Sequence, residues 1–243
     1  MENIKNITIL TGAGISAESG ISTFRDQNGL WENHEIEDVA TPEGFQRNPE
    51  LVYKFYNQRR FQLSQDNIVP NPAHMALAKL EREFSGSVLV ITQNVDDLHE
   101  RAGQKNLIHM HGELMKMRCV ASNKIYKAPN FFDGDTPCPC CQEAGNLRPH
   151  IVWFGEMPFQ MDKIQSELLN SDLFLSIGTS ALVYPASIFY RWAAQGGAKT
   201  IELNLESTVA SDRFDENFQG KASELVPGFV EDLLSGNISP EVS

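Results

Sequence analysis

His109-Met110-His111-Gly112-Glu113 is the stretch of this 243-residue chain with the most proton-transfer chemistry in the least space. Two imidazoles two residues apart on an extended segment point the same way. That spacing suits a metal pair, or a general base with a neighbour. A histidine beside a polar crevice is the commonest general base at neutral pH. A lone histidine at a strand end is as readily a hydrogen-bonded structural residue.

Cys119 and Cys138-Pro139-Cys140-Cys141 form a second chemical cluster. The pair Cys138 and Cys141, two residues between them, makes one knuckle of a thiolate zinc site, and Cys119 begins the other. The partner expected for Cys119 at position 122 is Ser122. The expected set is therefore Cys119, Cys138 and Cys141 around one structural zinc, incomplete at its fourth ligand, with Cys140 surplus. A metal-free module is the alternative.

Tyr56 and Arg59 stand three apart in a helical pattern that begins at Pro49, so phenol and guanidinium share a face. Arginine forks around a carboxylate and tyrosine adds one more bond, which suits an acidic ligand. Taken alone, the pair also fits the side of an amphipathic helix.

These groups need a scaffold, and the apolar runs supply it. Strands are expected over Ile4–Leu10, Ser87–Thr92, Leu107–Gly112, Leu173–Ile177 and Thr200–Leu203, with helices from Pro49, from Pro72, over Lys163–Leu169, Ile188–Ala194 and near Phe229–Leu234. Such alternation implies a mostly parallel sheet covered on both faces. From Glu113 to about Trp153 short β-like pieces, Pro, Gly and all four cysteines replace it, which reads as an insertion.

Four expected strand ends carry polar sets: Gly12-Ala13-Gly14, Gln93-Asn94-Val95-Asp96, Gly178-Thr179-Ser180 and Asn204-Leu205-Glu206. One set is an ordinary turn. Four at one edge point to a shared crevice where ligands of open α/β sheets bind. Gly12-Ala13-Gly14 after a buried strand is a phosphate-approach signal, and Glu206 suits ribose hydroxyls better than Asp38, which follows no strand. Beyond Gly14, Ser16, Glu18, Ser19 and Gly20 cut the helix short and deliver Phe24-Arg25-Asp26 as a loop. A covering loop of that kind suits a cofactor that is worked on.

A net charge of −12, without a dense Lys/Arg cluster, argues against nucleic-acid binding. The chain shows no apolar run of bilayer length and no signal-peptide pattern, so a cytoplasmic, non-membrane protein is expected. A dehydrogenase explains the glycines and Glu206 but gives no role to the loop after Gly14. A non-catalytic NAD or ADP-ribose sensor remains a further alternative.

Together, Gly12-Ala13-Gly14-Ile15-Ser16, Thr23-Phe24-Arg25-Asp26, Thr92-Gln93-Asn94-Val95-Asp96, His111-Gly112, Phe154-Gly155-Glu156, Gly178-Thr179-Ser180 and Asn204-Leu205-Glu206 resemble the sirtuin family of NAD-dependent protein lysine deacylases. Tyr56 and Arg59, with Ala40, are similar to its class III bacterial type, which acts on acidic acyl groups. The resemblance implies a Rossmann-like domain (1–32, 68–112, 154–243) carrying a smaller domain of two insertions, a helical one at 33–67 and a zinc-ribbon-like one at 113–153. It implies NAD as co-substrate, held by Gly12, Ala13, Gly14, Ser16, Ala17, Phe24, Arg25, Trp31, Gln93, Asn94, Val95, Asp96, Gly178, Thr179, Ser180, Asn204, Leu205, Glu206 and Ala222. His111 is the implied general base, with Asn94 and Asp96 as further catalytic residues. Tyr56, Arg59, Ala40, Val152, Phe154 and Gly155 are the implied contacts to acyl-lysine proteins or peptides, the peptide adding a strand near Val152–Glu156. The implied products are free lysine, nicotinamide and O-acyl-ADP-ribose. Oligomeric state is left open, a monomer being compatible.

Overall fold

The computed structural model describes residues 4–21, 30, 31 and 34–236. Strand β1 (Asn6–Thr11) is buried from Ile7 onward and passes through Gly12 into a helix of one turn, α1 (Ala13–Ser16). A 3-10 turn over Ala17–Ser19 and Gly20, at φ +87°, end it. The helix stops early, as expected. Phe24 and Arg25 lie outside the described residues.

A two-residue hairpin, β2 (Leu30–Trp31) and β3 (His34–Glu35), leads into α2 (Ile36–Val39), α3 (Pro42–Arg47) and α4 (Pro49–Leu63). Each of the last two starts on a proline with a side-chain cap: Thr41 accepts from Gly44 N, and Asn48 from Leu51 N. Asn71 caps α5 (Pro72–Glu83) and His74 completes a capping box that fixes where the helix starts; β4 (Ser87–Thr92) follows it.

After α6 (Leu98–Ala102), β5 (Leu107–His109) pairs with β4 for only three residues. The continuous strand expected over Leu107–Gly112 breaks at Met110 and His111. Gly112, at φ +87°, turns the chain into a separate antiparallel sheet of β6 (Gly112–Cys119), β7 (Ile125–Lys127) and β8 (Leu147–Ile151), in the order β7-β6-β8. The alternation then resumes through α7 (Met161–Leu169), β9 (Leu173–Ile177), α8 (Phe189–Gly196), β10 (Lys199–Asn204), β11 (Glu216–Gln219) and α9 (Ala222–Ser235). Sequence periodicity misses β11, a polar edge strand exposed along most of its length. It also shortens α9, because Pro227 inside the helix mimics a boundary.

The large sheet is parallel throughout, in the order β11-β10-β9-β1-β4-β5. Alternate side chains feed two cores. Ile7, Ile9, Val88, Val90, Leu173 and Leu175 pack under α5 and α9, while Leu10, Leu89, Ile91 and Phe174 pack under α7 and α8. From β1 the chain order runs outward in both directions, so the carboxyl ends of β1 and β9 open the switch-point crevice of an α/β fold.

Candidate active site and metal centre

The four polar strand ends lie side by side on β10, β9, β1 and β4. Backbone bonds lock them: Gly12 N donates to Ile177 O at 3.0 Å, Gly14 N to Gly178 O at 2.8 Å and Gly178 N to Leu203 O at 3.0 Å. A Cβ on Gly14 would stand 2.7 Å from Gly178 Cα, and one on Gly178 would stand 2.5 Å from Ile15 N. The glycines thus serve backbone-to-backbone contact between two strand ends as well as ligand approach. Side chains complete the lock, Gln93 Nε2 donating to Thr179 Oγ1 at 3.0 Å and Asn204 Nδ2 to Thr179 O at 2.7 Å. Ser180 accepts weakly from Leu182 N at 3.4 Å, and Leu205 and Glu206 stand exposed beyond β10. Ala222 opens α9, whose Ser223 hydroxyl bonds Glu18, just past Ala17. Trp31 lies in β2.

Beneath this edge sits a buried polar knot. Ser16 Oγ donates to Asp96 Oδ2 at 3.0 Å and accepts from Asn94 Nδ2 at 3.0 Å, and Asn94 Nδ2 also reaches Gly12 O at 3.1 Å. Asp96 further accepts from Leu98 N at 3.1 Å. Burial raises its carboxyl to about 6, against these hydrogen bonds. Val95 O takes the N–H of Leu114, tying the segment to the small sheet.

His111 Nδ1 lies 3.1 Å from Gln93 O. A carbonyl only accepts, so the ring proton sits on Nδ1 and Nε2 carries a lone pair. Burial lowers the imidazolium pKa, partly offset by that carbonyl. The ring is thus neutral and basic at physiological pH.

A separate wall is built by α4 and the segment after β8. Tyr56 is fully buried, its hydroxyl receiving Trp153 Nε1 at 2.9 Å, and burial raises the phenol's pKa. Arg59, one turn on, lies with its guanidinium carbon 5.2 Å from the Phe55 ring centre. Ala40 O accepts from Phe154 N at 2.9 Å, and Val152 N donates to His111 O at 2.9 Å. Gly155, at φ +89°, allows the turn to Glu156. Glu156 accepts a fork from Arg148 at 2.6 and 2.9 Å, a bond from Arg118 at 3.2 Å and one from Trp153 N at 2.8 Å. Arg148 also stacks on Trp153, 3.4 Å from its ring centre. Sequence reasoning places Trp153 only within the peptide-pairing stretch and passes over Arg148 and Arg118, since two arginines on separate strands carry no spacing signal.

The sulfurs of Cys119, Cys138, Cys140 and Cys141 lie within 4.8 Å of one another. Four thiolates at tetrahedral zinc, with Zn–S near 2.3 Å, stand about 3.8 Å apart, so this donor set fits a structural zinc. Where the sequence supplies three sulfurs and an open fourth position, the structure brings Cys140 in beside them, so a four-sulfur donor set is available. Cys138 N bonds Glu143 O, and Gln142, at φ +62°, bends the segment so that three thiols of one short loop converge. Ser122 hydrogen-bonds Cys140 Sγ at 3.2 Å, beside the ligands and not among them.

Two further histidines are buried where the sequence draws no attention to them. His74 Nε2 lies 3.4 Å from Ser16 Oγ, and its ring meets that of His99 at 5.0 Å. Only the capping position of His74 after Asn71 signals it.

A model of the Sir2 family matches residues 12–185. An NAD-dependent protein deacylase of Vibrio cholerae is 58% identical over 231 residues, covering 95% of this chain and 94% of the relative. A crystal structure of a Sir2 homologue in complex with NAD is similar with a TM-score of 0.86 and 39% identity, over 97% of this chain and 92% of that one. A Sir2 structure bound to acetylated peptide gives a TM-score of 0.79 at 29% identity, over 98% and 96% of the two chains.

Proposed function

This chain belongs to the Sir2 family and is an NAD-dependent protein deacylase with NAD as co-substrate, and on that premise we propose that it removes succinyl and malonyl as well as acetyl groups from lysine. The observation that carries the acyl range is the wall built by α4 and the segment after β8. Tyr56 is held by Trp153 at 2.9 Å in the same cluster as Ala40, with Arg59 one turn further along α4. A carboxylate at the far end of the acyl chain meets a guanidinium fork and a phenol O–H there.

NAD, when bound, supplies a ribose carbon that accepts the acyl oxygen as nicotinamide leaves. The polar side chains at the strand ends suit it: Ser16, Asn94, Asp96, Thr179 and Asn204 are all buried there. Gln93, Asn94 and Asp96 line the nicotinamide and ribose side. Gly12, Ala13, Gly14 and Ser16 hold the diphosphate region, and Gly178, Ser180, Asn204, Glu206 and Ala222 the adenosine side. His111 takes a ribose hydroxyl proton on Nε2, while its Nδ1–H stays on Gln93 O. Acyl-lysine peptides add a strand beside Val152–Glu156. The expected location is the cytoplasm; no helix among the described residues is long and apolar enough to cross a membrane.

Acetyl-, malonyl- and succinyl-lysine peptides incubated with NAD test the acyl range by peptide mass. Loss of all three acyl groups is expected. An enzyme that removes acetyl alone overturns it.

A further inference from the structure

We propose that His109 is a second functional histidine, a doubly protonated positioning residue that clamps the Asn94 backbone and presents a fixed positive charge to Asp96. This rests on the assignment of Asn94 and Asp96 to the nicotinamide side of the site.

The two rings of the His109–His111 pair have opposite surroundings. His109 Nδ1 lies 3.3 Å from Asn94 O, and its Nε2 lies 2.8 Å from Glu100 Oε1. Both partners, a carbonyl and a carboxylate, only accept. A neutral imidazole has one N–H and would turn a lone pair toward one of them. Only the imidazolium satisfies both. His111 has one acceptor, Gln93 O, and among the described residues no protein group hydrogen-bonds its Nε2. One imidazole is thus built to keep two protons and its neighbour to keep one.

The charges around His109 agree. Glu100 on α6 and Glu113 on β6 each bring a carboxylate oxygen within 4.8 Å of one of its ring nitrogens. Lys116, on β6, pairs with Glu113 at 2.6 Å and leaves Glu100 to His109. The charge on His109 also acts on Asp96, in the loop after β4, and His99, on α6, is held neutral by burial. Burial disfavours a charge on His109, but the hydrogen bond and charge of Glu100, with Glu113, outweigh it and raise its pKa. The same positive charge opposes the burial that raises Asp96. Among the described residues, the Asn94 backbone is the one position assigned to NAD or peptide that His109 hydrogen-bonds. It acts through Asn94, whose amide bridges Gly12 O and Ser16, and through the ionisation of Asp96.

Two measurements on the whole chain test this. Imidazole 15N shifts, assigned with His109→Gln, are expected to show His109 doubly protonated at pH 7.5 and His111 singly protonated on Nδ1. A neutral His109 at that pH overturns the proposal. In parallel, the pH profile of nicotinamide release is followed for Glu100→Gln, on a partly exposed side chain, and for His109→Gln. The acid limb is expected to move up by about half a pH unit or more in both, with peptide KM little changed. An unmoved limb overturns the electrostatic role, and KM and kcat falling together at every pH mean a merely structural residue. If Asp96→Asn keeps full activity, the nicotinamide-side assignment has failed, which the imidazole spectrum tells apart from a failure of His109 itself.

Discussion

The backbone N–H of Val152 donates to the carbonyl oxygen of His111 at 2.9 Å. The edge proposed to pair with a peptide is therefore registered directly on the proposed general base. A substrate strand laid along Val152–Glu156 has its position along the chain fixed relative to Nε2 before any acyl contact forms.

His111→Ala is expected to abolish nicotinamide release with acetyl and succinyl peptides alike, leaving the thermal midpoint nearly unchanged. Full activity in this variant would remove the base assignment. Because burial holds the His111 pKa below its ordinary value, the base form persists through neutral pH and declines only on acidification.

Arg59→Met is expected to reduce desuccinylation by 10-fold or more, about 1.4 kcal/mol or above, while deacetylation changes little. Paired kcat/KM values on the two peptides measure it. Equal losses would take Arg59 out of acyl recognition.

Asp96→Asn separates stability from activity. The folded carboxyl titrates near 6 against a reference of 3.8, so its native pKa is raised. Stability tied to this group is complete below the unfolded pKa and is lost as pH rises from about 4 through 6. At pH 7.5 the asparagine variant is expected to be more stable by about 1–3 kcal/mol, melting several degrees higher, yet to release little nicotinamide. Melting curves at pH 7.5 and pH 4 decide this, the difference shrinking at the lower pH.

Metal content tests the cysteine cluster. About one zinc per chain is expected in the intact protein and in Ser122→Ala, and much less in Cys140→Ala. Metal analysis after dialysis against a mild chelator gives the answer. Zinc retained fully by Cys140→Ala would restore the three-cysteine set.

Glu156→Gln removes the acceptor shared by Arg118 and the buried Arg148. A loss of about 1–3 kcal/mol in stability is expected, the pair being partly solvated, together with a higher peptide KM. Burial raises the Glu156 carboxyl, but hydrogen bonds from Arg148 and Trp153 N more than reverse this. Its contribution is present at neutral pH and lost as pH falls through the depressed native value.

The parallel sheet and its ligand edge were legible because they depend on local signals. β-branched runs ending in Gly, Asn or Ser name both the strand and where it stops, and β4 and β9 match their expected limits residue for residue. What escaped depends on contacts between distant segments. Cys140 joins its neighbours in a loop where Gln142 is left-handed and Ser122 reaches across to its sulfur, which spacing rules do not encode. The turn at Met110 and His111 is set by Gly112 pairing with Ile151. The differing partners of His109 and His111 require knowing where α6 lies.

Helix α4 uses two stripes about a quarter-turn apart. Tyr53, Asn57 and Arg60 face the cysteine loop: Tyr53 bonds Leu147 O, Asn57 exchanges bonds with Phe132 at 3.0 and 3.2 Å, and Arg60 lies over the Phe132 ring. Tyr56 and Arg59 occupy the other stripe. A change at Arg59, proposed to read the acyl chain, therefore leaves untouched the stripe that grips Phe132 and Leu147 on either side of the cysteine loop. Tyr56, buried against Trp153, is the position on that helix where acyl choice and folding are inseparable.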